Sequence, residues 1–224
     1  MIYDITPPIT TRMGVWPGDN PMTREVLLDV EKGDNITLST IRSTVHLGAH
    51  ADGPNHYGTA SPGIGERHLG LYLGPCQVVS VAVGRGQRVA VSMLPKGVDL
   101  SEKRILFKTG TFPDPDNFNN DFAALEPALV EMLANRGVAT VGIDTPSVDL
   151  IDSKDLPSHK MFLAHDMAIL EGLVLKDVPD GRYELIALPL KLMGFDASPV
   201  RAVLRTLDEA PAEPPRKKAS RSSR

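Results

Sequence analysis

The stretch HLGAHADGPNH, residues 46–56, places three histidines and an aspartate in eleven positions of a 224-residue chain that has six histidines in all. His46, His50 and Asp52 offer two imidazoles and a carboxylate, a three-ligand set for Zn²⁺ or a similar ion with positions left for water or substrate. His56 follows across a Gly-Pro step, and its imidazole is the side chain type that titrates nearest neutral pH. Three roles suit these residue types: a metal site, a metal-free acid/base cluster, or hydrogen-bonded histidines that serve packing. The density of the stretch favours metal.

Spacing limits which backbone can gather the ligands. His46 and His50 would share one face of a helix, but β-branched Thr44-Val45, Gly48 and Gly53-Pro54 all oppose a helix there. On a straight strand the two residues stand ~13 Å apart, too far for one ion with bonds of ~2.1 Å. A strand that bends near Gly48 would carry His50 and Asp52 back toward His46.

Around the stretch, DNITLSTIRSTVHLG alternates and reads as a strand. CQVVSVAV, RILFKTG, GVATVGIDTP and YELIALPLKL read as further strands. EPALVEMLANRG is the clearest helix, with Pro127 in its first turn and Gly137 as its stop; HKMFLAHDMAIL also has helical spacing. Strands outnumber helices and do not alternate with them regularly, so residues 1–207 are expected to form one α+β (mixed β/α) domain. Residues 208–224, DEAPAEPPRKKASRSSR, combine proline, serine and charge without apolar periodicity and are expected to be a disordered tail.

Composition excludes several classes. Net charge is −4, which suggests no nucleic-acid surface. No apolar run approaches the ~20 residues of a membrane span, and the first residues lack a secretory pattern. A single cysteine, Cys76, forbids an intramolecular disulfide, and together these features point to a cytoplasmic protein with no membrane partner. Cys76 reads as a buried strand thiol. His68 and His165 read as structural, the latter packed on its helix.

The motif H-x-G-x-H-x-D-x-P-x-H resembles the signature of the cyclase-like metal-dependent hydrolases. Within that family the chain looks most like the bacterial kynurenine formamidases (arylformamidases). The likeness extends over VWPGDNP, YLGPCQVV, GIDTPSVD, LPSHK, AILEGLVL and PLKLMGFDASPVRAVL in order, or about residues 2–206. Gly53 and Asn55 depart from the family pattern, at positions that are not ligands. The resemblance implies the swivelling β/β/α fold and two Zn²⁺ per subunit: one on His46, His50 and Asp52, the second on Asp52, His159 and Glu171, with Glu171 touching both. It further implies His56 as proton donor and acceptor, Trp16 as a substrate contact, and a homodimer. The implied activity is hydrolysis of a small N-formyl arylamine, N-formyl-L-kynurenine, to formate and L-kynurenine in tryptophan breakdown. A related hydrolase opening a cyclic amide such as isatin, with manganese, is the nearest alternative; a non-catalytic metal-binding protein is the other. His159 and Glu171 lie twelve residues apart, ~18 Å along one helix, so the chain must turn between them.

Overall fold

The computed structural model describes residues 1–207; the tail expected at 208–224 lies outside them. In chain order the strands are β1 (Ile2–Asp4), β2 (Thr23–Leu28), β3 (Leu38–Arg42), β4 (His50–Asp52), β5 (Leu73–Ser80), β6 (Arg88–Val89) and β7 (Arg104–Lys108). They continue with β8 (Ala124–Leu125), β9 (Thr140–Ile143), β10 (Ala168–Glu171), β11 (Gly181–Ile186), β12 (Ala197–Pro199) and β13 (Val203–Thr206). Two α-helices, α1 (Pro127–Asn135) and α2 (Pro157–Ala164), lie among them.

Nine strands form one mixed sheet in the order β1-β13-β11-β5-β7-β9-β10-β4-β12. Its middle, β5-β7-β9-β10, is parallel, and both flanks are antiparallel. The parallel strands are covered on both faces, which is why Val78-Val79 and Ile105-Leu106-Phe107 run apolar without alternation. Val78, Leu106 and Leu170 face a core inside the curled sheet, with Tyr72, Leu185 and Leu204. Val79, Ile105, Phe107 and Ile169 face the other way, onto Leu129 and Leu133 of α1 and Phe162 of α2. The expected α+β domain is therefore present, as a curled mixed sheet with helices on its outer face. Among the described residues no helix is long and apolar enough to cross a membrane.

Three elements differ from expectation, the simplest being the strand expected over 183–192, which ends at Ile186. The strand expected over 34–48 spans only Leu38–Arg42, paired with β2 in a separate exposed hairpin. From Ser43 the side chains take over the backbone's bonding: Ser43 Oγ donates to the Thr44 carbonyl at 2.9 Å and Thr44 Oγ1 accepts from His46 N at 3.2 Å. The helical pattern at 159–170 divides. α2 stops at Ala164, Asp166 takes φ 51, and β10 begins at Ala168.

Candidate metal centre

Gly48 supplies the bend, with φ 60, but the strand follows the bend instead of preceding it. β4 lies buried between β10 and β12, its register pairing His50 with Glu171 and Asp52 with Ala197. Residues two apart on a strand share a face, so His50 and Asp52 project together, and the cross-strand partner of His50 is Glu171. His50 Nε2 stands 3.1 Å from Glu171 Oε2. Gly172, in the left-handed region at φ 65, turns the chain where a Cβ would run into the Gly48 carbonyl. Only glycine allows this approach. Gly172→Ala is expected to lower stability by about 2 kcal/mol or more, read as a drop in melting temperature; an unchanged melting temperature would contradict the tight approach.

His159 arrives from the other side, in the first turn of α2. Pro157 presets that turn, and the Asp149 carboxylate accepts from the backbone N–H groups of Ser158 and His159 at 3.0–3.2 Å. A carboxylate there satisfies orphan donors and complements the helix dipole. Asp149 Oδ2 also lies 2.8 Å from His159 Nδ1, and Arg88 donates to Asp149 Oδ1 at 2.7 Å. The segment that holds Asp149 braces Glu171 too, since Val148 N donates to Glu171 Oε1 at 2.7 Å.

These elements converge on Asp52. Its Oδ1 is 3.3 Å from His46 Nδ1 and 3.5 Å from His50 Nε2. Its Oδ2 is 3.6 Å from His159 Nε2, which is also 3.6 Å from Glu171 Oε1. Yet both Asp52 oxygens and His50 Nε2 are buried without any hydrogen-bond partner. A buried charge left in that condition is costly. Ligand atoms around an ion at ~2.1 Å are ~3.4 Å apart in a tetrahedron, the spacing seen here. The geometry therefore suits cations on both sides of Asp52. A cation on one side would meet His46 and His50, and one on the other side His159, with Glu171 within reach of His50 and His159.

The outer nitrogen of each imidazole is fixed as well. His50 Nδ1 donates to the Gly48 carbonyl at 2.9 Å, and His159 Nδ1 faces Asp149, so each turns Nε2 inward, where it could meet a cation. Burial alone would lower the basicity of His46 and His159. The hydrogen bonds to Asp196 at His46 and to Asp149 at His159, with the nearby negative charges of Asp52 and Glu171, outweigh it and raise them to about 9 and about 10. In the metal-free cluster these two imidazoles keep their protons at neutral pH; a bound cation would displace them.

His56 ends a 3₁₀ turn that begins at Pro54. Its ring is 4.3 Å from that of His46 between centroids and 6.1 Å from that of His159. Partial burial pushes its pKa below the usual histidine value, against the pull of Asp52. Gly53 and Asn55 have packing roles. A Cβ on Gly53 would clash with Ile64 N, and Asn55 Nδ2 donates to the Gly194 carbonyl at 3.2 Å.

A cleft of about 710 Å³ opens onto the cluster, lined by His46, His50, His56, His159 and Glu171 at one side and Trp16 at another. Trp16 is half-buried and packs edge-on against Phe118 and Phe122, both with centroids 5.9 Å away. Phe112 and Phe118 belong to the Pro/Asp/Asn-rich loop that follows β7, and this loop forms the aromatic wall.

All seven residues singled out in the sequence, His46, His50, Asp52, His56, His159, Glu171 and Trp16, thus border one cleft or the buried cluster beneath it. His68 caps a short turn, accepting from Gly70 N at 3.1 Å, as a structural residue would. His165 departs from expectation: it lies exposed at the C-cap of α2, because the helix stops before it. Cys76 is buried in β5, and burial pushes its thiol up to about 12.

The Cyclase family model, described as "Putative cyclase", matches residues 3–150. The chain belongs to this family. Two solved structures share 30% identity with it. One, described as a potential metal-dependent hydrolase with cyclase activity, covers 91% of this chain and 96% of its own at TM-score 0.77. The other, a predicted metal-dependent hydrolase from Bacillus stearothermophilus, covers 91% and 97% at TM-score 0.74. Isatin hydrolase A from Labrenzia aggregata, bound to benzyl benzoate, shares the fold at 19% identity, covering 92% and 93% at TM-score 0.76. The chain thus shares its family and fold with proteins described as metal-dependent hydrolases, and its buried donor cluster has the residue types such chemistry requires.

Proposed function

We propose that this cyclase-family hydrolase cleaves the formamide of an N-formyl arylamine, N-formyl-L-kynurenine, releasing formate and the free arylamine. The observation that carries this proposal is one cleft with a buried multi-donor cluster on one side and an aromatic wall on another. His46, His50 and Asp52 would hold one zinc ion, and Asp52, His159 and Glu171 a second. When bound, such ions acidify a water nucleophile and polarise an amide carbonyl. Trp16 offers a face to the aryl ring. His56 stands at the mouth of the cluster as a neutral imidazole, takes the proton released by the attacking water, and passes it to the departing amine nitrogen. The Phe112–Phe118 loop keeps bulk water from that side of the cleft.

The homodimer implied by the resemblance is part of this proposal. Hairpin β2–β3 leaves Val26, Leu27, Leu38 and Ile41 exposed, and an isolated two-stranded sheet is marginal in water, so a second copy is its natural cover.

The test is incubation with N-formylkynurenine, followed by kynurenine absorbance, with isatin run in parallel because isatin hydrolases share the fold. Turnover of the formamide, abolished by chelator, is expected; turnover of isatin alone would replace the linear amide by a cyclic one. Trp16→Ala should raise KM by about 1–3 kcal/mol in binding terms while kcat holds, since a stacking wall serves ground and transition states alike. A fall in kcat alone would place Trp16 on the transition state instead.

A further inference from the structure

Asp196 was not singled out by the motif, yet it reaches the centre from just ahead of β12. One oxygen, Oδ2, lies 3.0 Å from His46 Nε2 and 3.7 Å from His56 Nδ1. The two rings it faces are 4.3 Å apart. Its backbone carbonyl accepts from Gly53 N at 2.7 Å, so the link that separates Asp52 from His56 is fastened to the same residue. The carboxylate itself is half-exposed, and its backbone tie is independent of its side chain.

We propose that Asp196 is a positioning residue shared by His46 and His56. It accepts from His46 Nε2–H, which fixes the tautomer whose Nδ1 points at Asp52, as Gly48 and Asp149 do for His50 and His159. It also faces Nδ1 of His56, leaving the other nitrogen of that ring for the amine. This rests on the metal-hydrolase reading above. It adds a single carboxylate that couples a ligand to the proton carrier.

The test uses the full chain with Asp196→Ala and Asp196→Asn, each also in a His56→Ala background. Zinc affinity is measured by competition with a chromophoric chelator, which needs no substrate and so stays informative if the formamide assignment fails. Asp196→Ala is expected to weaken zinc about 10–100-fold, with or without His56, and Asp196→Asn, which keeps an acceptor oxygen, less. Its loss in kcat should shrink sharply in the His56→Ala background. Unchanged zinc affinity in Asp196→Ala would overturn the link to His46. A kcat loss that adds in full to that of His56→Ala would overturn the link to His56. Melting temperatures of the metal-free variants, expected to match the parent, separate both results from misfolding.

Discussion

Asp52→Asn should abolish turnover, by more than about 10³-fold, and empty both metal positions together. Asp52 gives one oxygen to the side of His46 and His50 and the other to the side of His159, so its loss touches all three histidines proposed as ligands. The variant should still fold, because Asp52 is held in β4 through backbone pairing with Ala197. Elemental analysis checks the outcome; a variant that keeps one ion at full occupancy would show that Asp52 does not bridge. Protons report on the same cluster. Imidazoles raised to about 9 and about 10 stay charged at neutral pH in the metal-free fold, whereas unfolded histidine titrates near 6.5. Their contribution to metal-free stability is complete below pH 6.5 and disappears as pH rises through 9 to 10. Zinc loading at pH 7 should accordingly release about two protons from His46 and His159, and bind more tightly as pH rises. Calorimetry in buffers of different ionisation enthalpy reads that release, and zinc uptake without it would contradict the assigned ligands.

His56→Ala should retain zinc and substrate binding yet lose roughly 10²–10⁴-fold in kcat. The distinction matters because a nitrogen of His56 stands close enough to His46 and Asp52 to serve as a ligand of the same ion. Two features favour proton transfer: its ring is more exposed than those of His50 and His159, and its Nδ1 faces Asp196. The defect should diminish for formamides whose amine is a better leaving group, since such amines need less protonation. Loss of zinc from the variant would make His56 a ligand and require a different proton donor.

The first half of the centre was legible because residues 46–56 hold their own geometry. A glycine between two histidines, followed by an alternate aspartate, left a bend as the workable backbone, and the bend lies at Gly48. The second half was not legible from spacing. His159 and Glu171 are brought to Asp52 by the passage from α2 into β10, and only the family resemblance named them. Asp149 and Asp196 escaped for the same reason. Asp149 caps a helix that starts eight residues later, and Asp196 meets His46 across 150 positions. The overlong strand at 34–48 and the helix expected to run on past His165 were errors of local pattern. Side-chain bonding at Ser43-Thr44 and the reversal at Asp166 overrode β and helical periodicity there.

The most direct measurement is a zinc titration of metal-stripped protein followed by N-formylkynurenine hydrolysis. Activity should be absent at the start, rise with added zinc, and level off at two equivalents per chain. Full activity in the stripped protein, or two bound equivalents with no hydrolysis of the formamide, would contradict a binuclear arylformamidase.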